Sequence, residues 1–219
     1  MLILYAKISE ENHSFLLDKY LNRLEPVYRD KLLKFRRWQD IQLSLLGRLL
    51  LQEGLSLLSN EKINLPVLKY SEYGKPYFLN GFHFNISHSK DIVICALNKK
   101  FEIGIDIEII KVINPHDFKN QMTDYEWFSV ANSGNSVLNF YKYWTEKEAV
   151  LKAEGKGLST PLKSFEIIDN KTILNAHCFF TSEIKIADGY CCSLAIKADS
   201  VDFKTIKIQE VVYDSRSLL

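Results

Sequence analysis

Phe101–Ile110 reads FEIGIDIEII, with isoleucine at every second position from Ile103 to Ile109 and Gly104, Asp106 and Glu108 between them. Side chains alternate across a strand, so the isoleucines share one face and the two acids share the other. Asp106 and Glu108 then stand about 6.6 Å apart at Cα. Two readings fit this pattern. One is a half-buried strand whose acids are solvated. The other is a pair of carboxylates leaning onto one hard cation, with Gly104 removing bulk from the same face; Mg²⁺ takes oxygen ligands of this kind together with substrate phosphates.

A third acid bears on the choice. Val137, Tyr141, Trp144, Glu148 and Leu151 follow one another at steps of four, three, four and three, the stripe of an amphipathic helix expected over about Val137–Glu154. Gly155 and Gly157 end it. Glu148 sits within that apolar stripe, where an isolated carboxylate is costly unless it meets a cation. Lys152, one turn on, offers a plain i,i+4 salt bridge as the alternative. Glu146, Lys147 and Lys156 give the expected solvated faces their charge.

Upstream, the same logic predicts a first strand near Leu2–Ile8, helices over about Glu10–Leu24 and Pro26–Leu58, and punctuation at Pro66 and at Tyr73-Gly74-Lys75-Pro76. His83–Asn98 reads as strand, polar loop, strand, with Asn85-Ile86-Ser87-His88-Ser89 in the loop. Small polar loops present hydroxyls and N–H groups to anions, though most are chosen for turn chemistry alone. His88 is open between general base, phosphate contact and neither. Lys31, Lys34, Arg36, Arg37 and Arg48 form the most basic stretch, a pattern more often a solvated helix face than a site. Glu126, in the short helix expected at Asp124–Ala131, also suits a helix N-terminus. After Pro161 the runs SFEIID, AHCFFT, SEIKIA, YCCSLAIK and KTIKIQEVV look like strands.

The halves echo each other. Phe35 and Trp38 precede a leucine-rich helix ending Glu-Gly-Leu-Ser; Phe140 and Trp144 precede one ending Glu-Gly-Lys-Gly-Leu-Ser. DIVICALN (Asp91–Asn98) resembles GYCCSLAI (Gly189–Ile196). Composition sets bounds. The 219 residues suffice for one large domain or two lobes, and 28 basic against 27 acidic residues speak against a general nucleic-acid or membrane-surface binder. Four cysteines without a C-x-x-C pair suit a reducing cytoplasm. The N-terminal apolar run is too short for a signal peptide, and no run approaches the ~18 residues of a membrane span.

Three motifs together resemble the 4′-phosphopantetheinyl transferases: WTEKEAVLKAEGKGL (Trp144–Leu158), GIDIE (Gly104–Glu108) and FNISHS (Phe84–Ser89). The length, the paired halves and the upstream Tyr-Gly-Lys-Pro are similar to the surfactin-synthetase-activating, monomeric type. The resemblance implies an α+β fold of two similar lobes, 1–100 and 101–219, related by a pseudo-twofold axis, each a small antiparallel sheet packed on a long helix. It implies transfer of the 4′-phosphopantetheine arm of coenzyme A to a serine of an apo acyl, peptidyl or aryl carrier protein, releasing 3′,5′-ADP. Asp106, Glu108 and Glu148 would hold Mg²⁺, with Mn²⁺ the alternative ion. Lys152 would meet the pyrophosphate, Ser87 and His88 the phosphates of coenzyme A, Lys31 the 3′-phosphate and Lys75 the nucleotide end. Glu126 would be the base for the serine. Tyr28 departs from relatives that carry a second basic residue there, leaving Arg36 or Arg37 to compensate. The rivals are a coenzyme A-binding protein of this fold without activity, and an interaction domain whose acids are merely solvated.

Overall fold

The computed structural model describes residues 1–64, 67–78 and 81–214. Pro66, expected to punctuate the chain, lies outside them. In chain order the elements are β1 (Leu2–Lys7), α1 (His13–Tyr20), α2 (Pro26–Leu32), α3 (Trp38–Ser59), β2 (Lys69–Tyr70), β3 (Pro76–Tyr77), β4 (His83–Ser89), β5 (Ile92–Asn98), β6 (Ile103–Ile109), α4 (Asp124–Ala131), α5 (Ser136–Glu154), β7 (Lys171–Leu174), β8 (His177–Glu183), β9 (Tyr190–Lys197) and β10 (Lys207–Glu210). Short 3-10 turns join several of them.

The strands build two four-stranded sheets, β10-β1-β5-β4 and β6-β9-β8-β7, and a small β2-β3 hairpin. Within them β1-β5-β4 and β6-β9-β8 have the same antiparallel connectivity, so β5 and β9, the strands whose sequences echo, occupy equivalent places. β10 returns to the first sheet and runs parallel to β1.

Two-sided burial dictates the layering. Val93, Cys95 and Leu97 of β5 join the leucines of α3 in one core, whereas Ile92, Ile94 and Ala96 face the other way. That second face meets Ile103, Ile105 and Ile107 of β6 and Cys192, Leu194 and Ile196 of β9. The opening isoleucines therefore form the seam between the two sheets. On the far side of the second sheet lies α5, through Ala149, Val150, Leu151 and Ala153. The order is helix, sheet, sheet, helix.

Several expectations shift. The stretch Asn85–Ser89 is strand, not loop; the turn is at Lys90-Asp91, with Lys90 at φ 51°. The expected helix over Pro26–Leu58 is two, separated at 33–37 where Lys34, Arg36 and Arg37 crowd like charges. SFEIID contributes only an isolated bridge from Ile168 to Lys171. SEIKIA leaves the sheet after Glu183. β7 went unforeseen because its hairpin turns on Asn175-Ala176, both at positive φ, and alanine is an unusual residue there.

Candidate active site

The site depends on how closely α5 approaches β6. A Cβ on Gly104 would lie 2.1 Å from the Ala149 carbonyl oxygen and 2.4 Å from the Ala153 nitrogen. Glycine in the strand and two alanines one turn apart in the helix let the backbones touch. Glu148 and Lys152, each one residue before an alanine, are thereby carried to the rim beside Asp106 and Glu108. All four line one cleft of about 390 Å³, with Ile86, Ser87, His88 and Trp144.

The acids are not simply solvated. Asp106 is 4% exposed. Its Oδ1 accepts from Lys152 Nζ at 2.5 Å and from Ser87 Oγ at 3.0 Å. Lys152 Nζ also donates to Ser87 Oγ at 3.0 Å. Glu108 Oε2 accepts from Ser89 Oγ at 2.8 Å. Burial pushes the Asp106 carboxyl above its ordinary range, and Lys152 opposes the shift. Burial also raises Glu108, with the Asp106 charge adding to it. Glu148 is raised by burial and then by the charges of Asp106 and Glu108.

β4 and β6 are edge strands of different sheets, yet they are stitched together by side chains. Asn85 Oδ1 accepts from Ile105 N–H at 2.9 Å, Ser87 Oγ from Ile107 N–H at 3.4 Å, and Ser89 Oγ from Ile109 N–H at 3.0 Å. Period two on both strands puts every second residue of β4 opposite every second N–H of β6. The polar run is an inter-sheet ladder, and its two hydroxyls also reach the cleft acids.

Asp106 Oδ2 is buried and has no hydrogen-bond partner, an orphan acceptor in a cleft that Glu108 and Glu148 also line. Such an atom suits a cation. Among the described residues no group of three or more His, Cys, Asp and Glu side chains is drawn together closely enough to hold a metal ion by itself. An all-oxygen set completed by water and substrate phosphates is the arrangement Mg²⁺ favours.

Other predicted residues lie around this centre. His88 lines the cleft and an adjoining cavity; burial and then Lys152 push its imidazole below the ordinary value. Lys75 lines a depression that shares Lys152 with the cleft. Its Nζ donates to Ala153 O at 2.9 Å, and burial lowers its pKa. Lys31 is exposed on α2 and absent from the lining of the cleft. Glu126 also lies outside that lining; it is 7% exposed, closes the capping box of α4 with Thr123, and pairs with Lys147.

Two basic residues contradict their expected exposure. Lys147 is 1% exposed, not solvated, and donates to the carbonyls of Leu162 and Phe165 as well as pairing with Glu126. Arg48 is 6% exposed. Neither burial was readable from charge spacing, because the partners lie on other elements.

The chain is an α+β protein with an acid-lined, lysine-bearing cleft between two sheets. Residues 12–100 match the N-terminal region of 4′-phosphopantetheinyl transferases, and residues 102–195 match the 4′-phosphopantetheinyl transferase superfamily. The 4′-phosphopantetheinyl transferase gsp of Aneurinibacillus migulanus is 28% identical over 221 residues, covering 95% of this chain and 92% of the relative. The 4′-phosphopantetheinyl transferase Sfp of Bacillus subtilis is 36% identical over 157 residues, 68% of each chain. The L-aminoadipate-semialdehyde dehydrogenase-phosphopantetheinyl transferase of Mus musculus is 29% identical over 169 residues, 67% of this chain and 53% of the relative. The chain belongs to the 4′-phosphopantetheinyl transferase family.

Proposed function

We propose that the protein transfers the 4′-phosphopantetheine group of coenzyme A to a serine hydroxyl of an apo carrier protein, giving the holo carrier and 3′,5′-ADP. The observation that carries the site assignment is the buried, partnerless Asp106 Oδ2 in a cleft shared with Glu108, Glu148 and Lys152.

Phosphoryl-group transfer is chiefly positioning and charge neutralisation. In this reading Asp106, Glu108 and Glu148 hold Mg²⁺, which would neutralise the pyrophosphate of the donor. The Lys152 ammonium shares that task as the bond to 3′,5′-ADP breaks. Ser87 keeps Asp106 and Lys152 in register through its two bonds. Two carboxylates are candidates for the serine proton: Glu148 on the cleft wall, and Glu126, which would first have to part from Lys147. Lys75, fastened to the end of α5, supports the nucleotide side.

We further propose two lobes, 1–100 and 101–219, related by a pseudo-twofold axis, a reading supported by the shared connectivity of their sheets. In it the last strand is lent back to the first lobe. We place the enzyme in the cytoplasm as a monomer without nucleic-acid or membrane partners. Buried free thiols at Cys95, Cys191 and Cys192 and a net charge of +1 support this. Among the described residues no helix is long and apolar enough to cross a membrane.

Mass spectrometry of an apo carrier incubated with coenzyme A and Mg²⁺ tests the reading. One phosphopantetheine mass should be gained with the wild-type protein, lost with chelator and restored by Mg²⁺. Undiminished transfer by D106A or in chelator would refute the metal assignment.

A further inference from the structure

The last carbonyls of a helix have no partner within it, and a cation is favoured at that end. At the end of α5 the partner comes from the turn between β2 and β3. Lys75 Nζ donates to Ala153 O at 2.9 Å, across 78 residues of chain. Its stem crosses Gly155, the left-handed residue that closes the helix at φ 90°; a Cβ there would lie 2.9 Å from Lys75 Cδ. Two carboxylates line a cavity with Lys75, and they pair elsewhere: Glu102 with Lys197 and Glu154 with Lys156. The hydrogen bond of the Lys75 ammonium goes to helix backbone.

Both ends of this bond are fixed. Lys75 N–H donates to Ser71 Oγ at 3.1 Å, its carbonyl accepts from Ser71 N–H at 2.9 Å, and Pro76 follows, which narrows its backbone freedom. Ala153 directly follows Lys152, and that stretch of helix also touches β6. A Cβ on Gly104 would lie 2.9 Å from Lys152 C and 2.4 Å from Ala153 N. The Lys152 backbone is therefore held by β6 at one peptide and by Lys75 at the next. Its ammonium meets Asp106 Oδ1 at 2.5 Å and Ser87 Oγ at 3.0 Å. Lysine has much rotamer freedom to lose, and a small misplacement of a charge in a transfer site is costly.

We infer that Lys75 is a positioning residue for Lys152: by capping α5 at Ala153 it fixes the turn of helix that aims the Lys152 ammonium into the cleft. The inference rests on the function proposed above. The family resemblance sets Lys75 at the nucleotide end, but its ammonium is taken up by the helix, so its support of that side passes through α5.

Two measurements on K75M test it, since methionine keeps the stem over Gly155 and removes the donor. In the carrier assay with coenzyme A and Mg²⁺, kcat should fall about tenfold. K75R should restore most of it, and the loss should vanish in a K152M background, because both changes then act on one group. In the protein without substrate, acetylation of Lys152 by acetic anhydride, read by peptide mass spectrometry, should rise several-fold. Lys147, on the same helix, should stay as protected as before. K75Q, whose amide stops one bond short, serves if K75M fails to fold. Losses that add in the double variant, or a Lys152 no more reactive than in the wild type, overturn the inference. So does a raised KM for coenzyme A with kcat unchanged, which marks direct contact with the nucleotide. Raised Lys152 reactivity in K75M, with a wild type that transfers to no carrier, sinks the proposed function and leaves Lys75 in its role.

Discussion

Lys152 Nζ lies 2.5 Å from Asp106 Oδ1, so the cleft sets its own cation on a carboxylate proposed for the metal. Lysine and divalent ion therefore compete for negative charge in the protein without substrate. K152M should bind Mg²⁺ several-fold more tightly in a calorimetric titration. Its turnover should still fall, by about 10²-fold or more, because the charge on the donor phosphates loses a partner. Weaker Mg²⁺ binding by K152M would show that Lys152 organises the ligands instead of competing with them.

Glu148 should trade stability for function. Its folded pKa is raised by burial and by Asp106 and Glu108, so its charged form disfavours the fold. The sign is opposite to that of a salt-bridged carboxylate. The penalty is absent below the unfolded value, grows as pH rises towards the folded value, and is complete above it. Metal-free E148Q should consequently melt higher than the wild type at pH 8, with the gap closing by pH 4, while transfer falls about 10²-fold or more. A lower melting temperature for E148Q across that range would count against the electrostatic account.

Glu126 and Lys147 are a buried pair joining α4 to α5 and to the carbonyls of Leu162 and Phe165. Removing one partner leaves the other charge unanswered, which typically costs about 3–5 kcal/mol. K147M should therefore be strongly destabilised in urea unfolding, and E126Q somewhat less because its amide still accepts from lysine. If E126Q stays as stable as the wild type and loses transfer, Glu126 is the base; if it loses stability and keeps transfer per folded molecule, Glu126 is not the base and its role is structural.

G104A should be among the most damaging single substitutions in the protein. The added methyl meets helix backbone at Ala149 and Ala153, which cannot swing aside as a flexible side chain would. An overpacking cost of about 3 kcal/mol or more follows, with α5 displaced from β6. Thermal melting and the yield of soluble protein measure it. A G104A protein of normal stability would mean that α5 can lift without consequence.

Legibility in the sequence followed the range of the forces. The alternation of Ile103–Ile109 is set by neighbours on the same element and formed as the periodicity required; of the stripe expected through Glu148 the helix buries Tyr141 and Leu151 but leaves Val137, Trp144 and Glu148 half-buried, because α5 turns Thr145, Ala149 and Ala153 to the sheet instead. The cover over the acids was not readable, because it comes from α5, some forty residues on. Asn85, Ser87 and Ser89 looked like turn residues because their partners are N–H groups of another sheet. Lys147 and Arg48 looked solvated for the same reason: charge counts cannot show that a distant loop or an enclosed cavity surrounds a side chain. Asp106, Glu108, Glu148 and Lys152, which the family motifs name together, line one cleft, and Glu126 and Lys31 stand apart from it.

Ser87 and Ser89 each accept from a β6 amide while donating to a cleft carboxylate. Cohesion of the two halves and occupancy of the cleft thus draw on the same hydroxyl groups. Whatever polarises Asp106 or Glu108 also tightens or slackens the stitch between the sheets, so loading the enzyme and stiffening it are a single linked equilibrium. Each loading of the cleft would then be felt at the Ser87 and Ser89 rungs, while the Asn85 rung, which holds no cleft acid, keeps its grip.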